Sequence, residues 1–228
     1  YPNQVLVSDD SGKTFKRATG LPDYLPKKNV MWGDGYARAL APDPKNPMTL
    51  YLGIDGDAEP AKGLSGGGVF KSTDGGYTWT QLPNQPGTRR MFYGIAVDPT
   101  DSKRIFWGGF GANGGVWRSE DGGESWENVN KQDAYLFNVE VAEDGTVYAG
   151  GNALWQSRDH GTTWKKISPT GIPGSVVGIA CDPDNAKRIW FSAATWDGSS
   201  MGGVFRSDDG GKTWVDISGD IGYRKPLV

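Results

Sequence analysis

Cysteine and histidine are almost absent from this 228-residue sequence, which contains one residue of each. A lone cysteine excludes an internal disulfide and a zinc site built from several thiolates. Cys181 lies in the apolar run VVGIACDP, where we expect it to fill space in the core. His160 lies within a turn motif described below, and this position argues against a Ser-His-Asp triad.

Long apolar runs and an excess of positive charge are also lacking. No apolar run approaches the ~20 residues of a membrane helix, so no membrane span is expected. The chain starts at Tyr1 without a signal peptide, as expected of a mature or excised segment. A net charge of −3 provides no basic footprint for nucleic acid. The run GGFGANGG has no phosphate-loop lysine and no helix after it.

Glycine, proline and tryptophan are abundant instead, with 35, 14 and 10 residues respectively. Such a composition is typical of short strands joined by tight turns. One eight-residue motif, Ser-x-Asp-x-Gly-x-(Thr/Ser)-(Trp/Phe), recurs along the whole chain. Its five copies are SDDSGKTF (8–15), STDGGYTW (72–79), SEDGGESW (119–126), SRDHGTTW (157–164) and SDDGGKTW (207–214).

Four of these copies belong to a repeating unit of four strands. An apolar strand ending in an Asp turn comes first, a second apolar run follows, and a third strand leads into the motif and then a fourth strand. No segment has a helical period of apolar residues. Four strands repeating every 40–50 residues are the signature of a β-propeller blade. We therefore predict an all-β chain that forms a β-propeller of four-stranded blades.

The predicted ring is incomplete, with about four and a half blades in a single partial propeller over residues 1–228. Propellers usually close with 4–8 blades, and joining the two ends of this chain does not complete a fifth blade, so we expect the remaining blades to come from the same protein or from a second chain. The predicted boundaries are a half blade at 1–35, blades at about 36–88, 89–134, 135–173 and 174–219, and the start of a further blade at 220–228.

The aspartate of each motif is predicted to hold a turn. Its carboxylate can accept hydrogen bonds from backbone N–H groups of the same turn, while glycine supplies a positive φ. We expect the final Trp or Phe of each motif to fill the seam between sheets. The alternative of a calcium loop is disfavoured, because the alternating oxygen ligands and terminal Glu of an EF-hand are absent. These aspartates are Asp10, Asp74, Asp121, Asp159 and Asp209.

The five motifs resemble the Asp-box, or BNR, repeat of sialidases, xyloglucan-degrading glycoside hydrolases, sortilin-type receptors and secreted bacterial propellers. The resemblance covers essentially the whole chain and implies that the boxes lie away from the ligand face. It also implies an extracellular or cell-surface protein, and no cofactor is expected. A sialidase is disfavoured: the stretch YRKP (223–226) has Lys225 where that family has an apolar residue, and it follows the boxes instead of preceding them.

The ligand face is predicted to consist of the loops between second and third strands and of the connections between blades. Aromatic side chains beside carboxylates and amides suit sugars, because a flat ring stacks on the apolar face of a pyranose. Alternatively, some of these aromatics only cover the ends of blades. The candidate binding residues are Tyr24, Trp32, Tyr36, Asp55, Asp57, Arg90, Tyr93, Phe110, Tyr135, Trp196 and Asp197.

Asp34 is the preferred catalytic candidate. Glycoside hydrolysis generally needs two carboxylates, and a carboxylate between Trp32 and Tyr36 is placed for a raised pKa. The alternative is that Asp34 caps the turn GDG. In the xyloglucanase-like hydrolases the two catalytic aspartates come from two propellers that face one cleft, so the resemblance implies that this chain alone is inactive.

Two functions remain open at this point. The preferred one is a polysaccharide- or oligosaccharide-directed propeller, either part of a xyloglucanase-like hydrolase or a binding module. The alternative is a non-catalytic propeller that binds another protein as a scaffold or receptor segment.

Overall fold

A computed structural model describes residues 5–22, 37–56, 58–59, 64–65, 67–87, 92–111, 114–172, 174–195 and 202–219. These residues form twenty strands and no helix. Accordingly, the described segments include no helix that is long and apolar enough to cross a membrane. The predicted all-β class is therefore confirmed.

The strands group into four sheets of four, one leading hairpin and one small ribbon. The leading hairpin consists of β1 (Leu6–Val7) and β2 (Lys16–Arg17). Blade 1 consists of β3 (Ala37–Asp43), β4 (Asn46–Ile54), β7 (Gly68–Ser72) and β8 (Thr80–Gln81). Between its second and third strands lies the ribbon of β5 (Ala58–Glu59) and β6 (Leu64–Ser65). This short strand pair is an addition to the four-strand unit expected from the sequence.

The other three blades follow in chain order. Blade 2 consists of β9 (Phe92–Asp98), β10 (Asp101–Gly109), β11 (Gly115–Ser119) and β12 (Glu127–Asn130). Blade 3 consists of β13 (Asn138–Val141), β14 (Val147–Gly150), β15 (Leu154–Ser157) and β16 (Lys165–Lys166). Blade 4 consists of β17 (Ser175–Asp182), β18 (Asn185–Ala194), β19 (Gly203–Ser207) and β20 (Val215–Asp216).

Each blade is an antiparallel meander whose first strand packs beside the first strand of the next blade. Strand β3 lies against β9, β9 against β13, and β13 against β17. The approach is tight at Gly94, where an added Cβ would lie 2.5 Å from the backbone nitrogen of Val139. These packed inner strands, with the four-stranded sheets around them, are the arrangement of a partial propeller, as predicted.

Buried side chains fill the seams between neighbouring blades. Tyr51 and Val69 of blade 1 pack with Ile105 and Trp107 of blade 2, and all four are at most 1% exposed. Equivalent clusters join blade 2 to blade 3 and blade 3 to blade 4. Burial of apolar surface at about 25 cal/mol per Å² is the main force that holds the blades together.

The final tryptophan of the boxes in blades 1 to 4 lies in the seam with the preceding sheet. Trp79 is 3% exposed and packs toward the leading hairpin, and Trp126, Trp164 and Trp214 pack against the following three seam clusters. Phe15 differs from this prediction because it is 59% exposed. The leading hairpin is the first sheet that the structure describes, so no described sheet covers Phe15 on that side.

The box aspartate accepts hydrogen bonds from both arms of its turn. Asp74 Oδ1 accepts from Ser72 Oγ at 2.7 Å and from the backbone nitrogens of Tyr77 and Thr78 at 3.0 and 2.9 Å. Asp74 Oδ2 accepts from Thr78 Oγ1 at 2.6 Å. The Thr78 hydroxyl and amide, which favour the charged carboxylate, lower the pKa of Asp74 to about 2. Corresponding hydrogen bonds surround Asp10, Asp121, Asp159 and Asp209.

A second polar contact crosses the seam between blades 2 and 3. The Asp98 carboxylate, at the end of β9, is fully buried and accepts from Arg104 Nη1 at 3.0 Å. His160 Nδ1, from the box of blade 3, lies 3.0 Å from the same carboxylate oxygen. Burial raises the pKa of Asp98, but hydrogen bonds from Thr100, Arg104 and His160 outweigh burial and hold the pKa below its usual value. The only histidine therefore joins two blades.

Glu140 of β13 lies where the inner strands of blades 1, 2 and 3 surround a cavity of about 260 Å³. Leu40 and Val97 line the same cavity, and Cys181 lies close enough for the Glu140 charge to raise the pKa of its thiol. The strongest effect on Cys181, which is half-buried, is burial, which raises its pKa to about 12. Burial also raises the pKa of Glu140 from 4.5 to about 7.

The box geometry predicts that Asp209→Ala destabilises blade 4 more than Asp208→Ala. Asp209 accepts from the Ser207 and Thr213 hydroxyls and from the Lys212 and Thr213 amides. Its neighbour Asp208 makes exposed ion pairs with Arg188 and Arg206, and such pairs contribute little. We expect Asp209→Ala to lower the midpoint of thermal unfolding by about 2–4 °C and Asp208→Ala to lower it by less than half as much. Equal shifts in calorimetry would contradict a turn-holding role, since both variants remove one charge.

Glu140 predicts a pH dependence of stability. Because its pKa is about 7 in the folded chain and 4.5 ordinarily, folded chains bind this proton more tightly. The contribution of Glu140 to the free energy of unfolding is fully present below about pH 4.5 and is lost as the pH rises through about 7. Glu140→Gln should remove this pH dependence. The change in the free energy of unfolding that it removes is on the order of 1–2 kcal/mol for a partly solvated carboxyl. Urea unfolding from pH 4.5 to 8 measures it, with Glu143→Gln as the control. A slope unchanged by Glu140→Gln would exclude Glu140 as its source.

Candidate functional site

The loop face of the propeller carries an aromatic cluster at the junction of blades 2 and 3. We use "loop face" for the side that holds the loops between second and third strands and the connections between blades. Phe110 follows β10, and Tyr135 lies in the connection from β12 to β13. Their ring centroids are 4.9 Å apart in an edge-to-face arrangement, and Phe137 lies 5.4 Å from Phe110. Tyr135 is 47% exposed, whereas Phe137 is buried.

Backbone hydrogen bonds fix this cluster from the blade 2 side. Phe110 and Tyr135 form an isolated antiparallel bridge. The Gly111 amide donates to the Ala134 carbonyl at 2.8 Å, and the Leu136 amide donates to the Gly109 carbonyl at 3.2 Å. The exposed Tyr135 ring therefore stands on a connection whose backbone is already tied to the preceding loop, which limits the entropy that it loses when a ligand binds.

Asp133 fixes the same connection from the blade 3 side. This carboxylate is 3% exposed and accepts from the Tyr135 amide at 3.1 Å and from the Ala153 amide at 3.2 Å. The Asn152 side-chain amide and the Trp155 indole also donate to it, at 3.2 and 3.3 Å. With four donors on a buried carboxylate, Asp133 is an anchor of the loop rather than an acid that reaches a ligand.

Asp55 lies on the loop face of blade 1, directly after β4. It is 1% exposed, and its carboxylate is in an ion pair with the Arg38 guanidinium of β3. Removing one partner of such a pair leaves a buried charge without compensation, which is strongly destabilising. Asp55 is therefore placed to orient Arg38, whose side chain is 28% exposed at the same face.

The structure brings together two of the sequence-predicted binding residues, Phe110 and Tyr135, and places Asp55 beside Arg38 on another blade. Tyr93 lies within β9, but its side chain is outside the described part of the chain. The remaining candidates also lie outside the described residues. They are Asp34, Tyr24, Trp32, Tyr36, Asp57, Arg90, Trp196 and Asp197.

Arg38, Asp133 and Phe137 are the residues that sequence reasoning did not select. Nothing in the spacing along the sequence shows that Asp133 meets Ala153, twenty positions away, or that Arg38 reaches Asp55. Chemically, the described part of the loop face offers an exposed aromatic ring and a partly exposed guanidinium. Among the described residues no group of His, Cys, Asp and Glu is arranged to hold a metal ion.

Comparison with known proteins agrees with the box geometry. The BNR/Asp-box repeat family matches residues 205–216. The chain is 25% identical over 222 residues to the oligoxyloglucan-reducing end-specific xyloglucanase of Emericella nidulans, which covers 94% of this chain and 24% of that protein. It is 28% identical over 218 residues to a xyloglucanase of Hypocrea jecorina, with 94% and 23% covered.

A solved structure has the same fold. The GH74 xyloglucanase from Xanthomonas campestris superposes with a TM-score of 0.73 at 25% identity, covering 95% of this chain and 34% of that one. The chain spans about a quarter of the length of the curated relatives that it matches. These observations identify the chain as part of an Asp-box β-propeller that is similar in sequence and fold to GH74 xyloglucanases.

Proposed function

We propose that the chain forms part of a polysaccharide-binding face in an extracellular GH74-like glycoside hydrolase, with a xyloglucan-type glycan as the ligand. The observation that carries this proposal is the extent of similarity: relatives named as xyloglucanases align with 94% of the chain, through all of its blades. The aromatic cluster on the loop face supports placing the glycan there.

The geometry of Tyr135 supports sugar binding at this place. An aromatic ring that is 47% exposed and braced by Phe110 offers a flat apolar surface. The C–H face of a pyranose packs on such a surface while its hydroxyls stay in water. Arg38, which is paired with Asp55 and 28% exposed, adds a guanidinium on the same face in blade 1. A neutral glycan fits this combination better than an extended apolar peptide does.

Hydrolysis of the glycan is assigned to the whole protein and not to this chain alone. Two carboxylates must flank the scissile bond, and the two loop-face carboxylates whose contacts are given above are occupied: Asp55 by Arg38 and Asp133 by four donors. Asp34, which lies outside the described residues, remains our candidate for one catalytic carboxylate. The second would come from another part of the protein.

Tyr135→Ala is expected to weaken binding of a xyloglucan oligosaccharide about ten-fold, because the stacking surface is lost. Tyr135→Phe keeps the ring and should bind within two-fold of the unmodified protein. Isothermal titration calorimetry on the full-length protein measures both affinities. Leu40→Ala, which removes an exposed apolar side chain at the inner cavity, is the matched control. If Tyr135→Ala leaves the affinity unchanged, the cluster is not the binding site. If no glycan binds at all, the proposed function is wrong.

Asp34→Asn in the full-length protein tests the catalytic assignment. The substitution removes the ability to carry or donate a proton while the side chain keeps its size. Turnover of xyloglucan should therefore fall by at least about 100-fold with little change in oligosaccharide affinity. A matched Asp144→Asn variant, which changes a carboxylate in the β13–β14 turn, should retain full activity. Unchanged turnover in Asp34→Asn would remove Asp34 from the catalytic pair.

A further inference from the structure

The opposite side of the propeller, which carries the Asp-boxes, has a groove of about 560 Å³ between blades 3 and 4. This volume lies within the roughly 300–1,000 Å³ that small-molecule sites occupy. We call it the box-side groove. Its walls combine two apolar side chains, Trp164 and Ile167, with three cationic ones, Arg158, Lys165 and Lys212. No Asp or Glu is among the described residues that line it.

Hydrogen bonds across the seam hold the floor of the box-side groove. Gln156 Nε2 and Arg158 Nη2 both donate to the Gly210 carbonyl at 3.0 Å. Arg158 Nε donates to Gln156 Oε1, also at 3.0 Å. On the apolar side, the Trp214 indole donates to the Ile167 carbonyl at 3.0 Å. The two blades therefore form one rigid floor, and the Arg158 side chain is held in place before any ligand arrives.

The three cations lack acidic partners within the described part of the chain. Neither Arg158 nor Lys165 nor Lys212 forms an ion pair there with a carboxylate. The nearby acids are already engaged: Asp159 and Asp209 accept hydrogen bonds within their own boxes, and Asp208 pairs with two other arginines. Three uncompensated positive charges around one groove favour an anionic ligand.

The repeat provides an internal comparison. Between blades 2 and 3, the positions equivalent to Arg158 and Lys165 are Glu120 and Glu127. Both glutamates pair with Arg118, at 3.0 and 3.5 Å, and Glu120 also pairs with Arg104 at 3.1 Å, so these charges are paired within blade 2. The two seams thus differ in the charge at these positions, which is acidic in blade 2 and basic in blade 3. The blade architecture does not require the basic pair, because the other seam is built without it.

We propose that the box-side groove binds an acidic sugar residue, a hexuronate, within an oligosaccharide. The sugar ring would pack its C–H face on Trp164 and Ile167, and its carboxylate would bind Arg158, Lys165 and Lys212. An indole, aliphatic carbon and cations around one groove match a ring with one apolar face and one acid group. A nucleic acid is disfavoured by the net charge of −3. This site goes beyond the proposed function and does not depend on it.

Titration of the full-length protein with tri-galacturonate tests the proposal, and neutral galactotriose is the comparison. At 50 mM NaCl the acidic trisaccharide should bind and the neutral one should not, and 300 mM NaCl should weaken the binding. The double variant Lys165→Gln/Lys212→Gln should raise the dissociation constant about ten-fold. The matched control is Lys13→Gln/Lys16→Gln, which removes the same two charges from the equivalent positions of the leading hairpin. It should change the dissociation constant by less than two-fold.

Three results would overturn the assignment. Equal weakening by both double variants would show that net charge alone attracts the ligand. Equal binding of galactotriose would show that the cations are not used. Tighter binding of tripolyphosphate than of tri-galacturonate would assign the groove to a phosphate ligand. Thermal unfolding of each variant confirms that it is folded, and binding of a xyloglucan oligosaccharide should be unchanged by Lys165→Gln/Lys212→Gln. The two proposals therefore fail or succeed separately.

Discussion

The fold of this molecule depends on one requirement. Both apolar faces of each sheet must be covered by a neighbouring sheet. Side chains on successive positions of an inner strand point to opposite seams, so Ala96 packs with blade 3 while Ile95 and Val97 pack with blade 1. A single four-stranded sheet with two apolar faces is not stable in water. The stability of one blade therefore includes the contacts of the next, as in other repeat proteins.

The box aspartate supplies hydrogen bonds at the outer half of each sheet. The fourth strands are short and leave the chain with few ladder hydrogen bonds beyond the third strand. Asp74 and its equivalents replace these with hydrogen bonds from hydroxyls and amides within the turn. They also set the turn so that its aromatic residue enters the preceding seam. One short motif thus joins local turn geometry to the packing between blades.

Repetition explains how much of the structure could be predicted from the sequence. The fold follows from the five boxes and the strand pattern between them, because each copy independently indicates the same turn. The exposure of Phe15 was not predictable, since it depends on which sheet lies in front of the leading hairpin. The contacts of the candidate site were harder to predict, because they form only after the strands pair. Examples are Arg38 with Asp55 and Asp133 with Ala153. Spacing along the chain contains no signal for such contacts.

The same repetition separates the structural positions from the positions free to acquire a function. The Ser, Asp and Gly of the boxes make the same hydrogen bonds in every blade, so changing them costs stability wherever they occur. The positions beside them vary in charge, from Glu120 and Glu127 in blade 2 to Arg158 and Lys165 in blade 3. A blade can exchange an acidic pair for a basic one because the turn is held by its neighbours in sequence. This is why a binding groove can arise on the box side without disturbing the loop face.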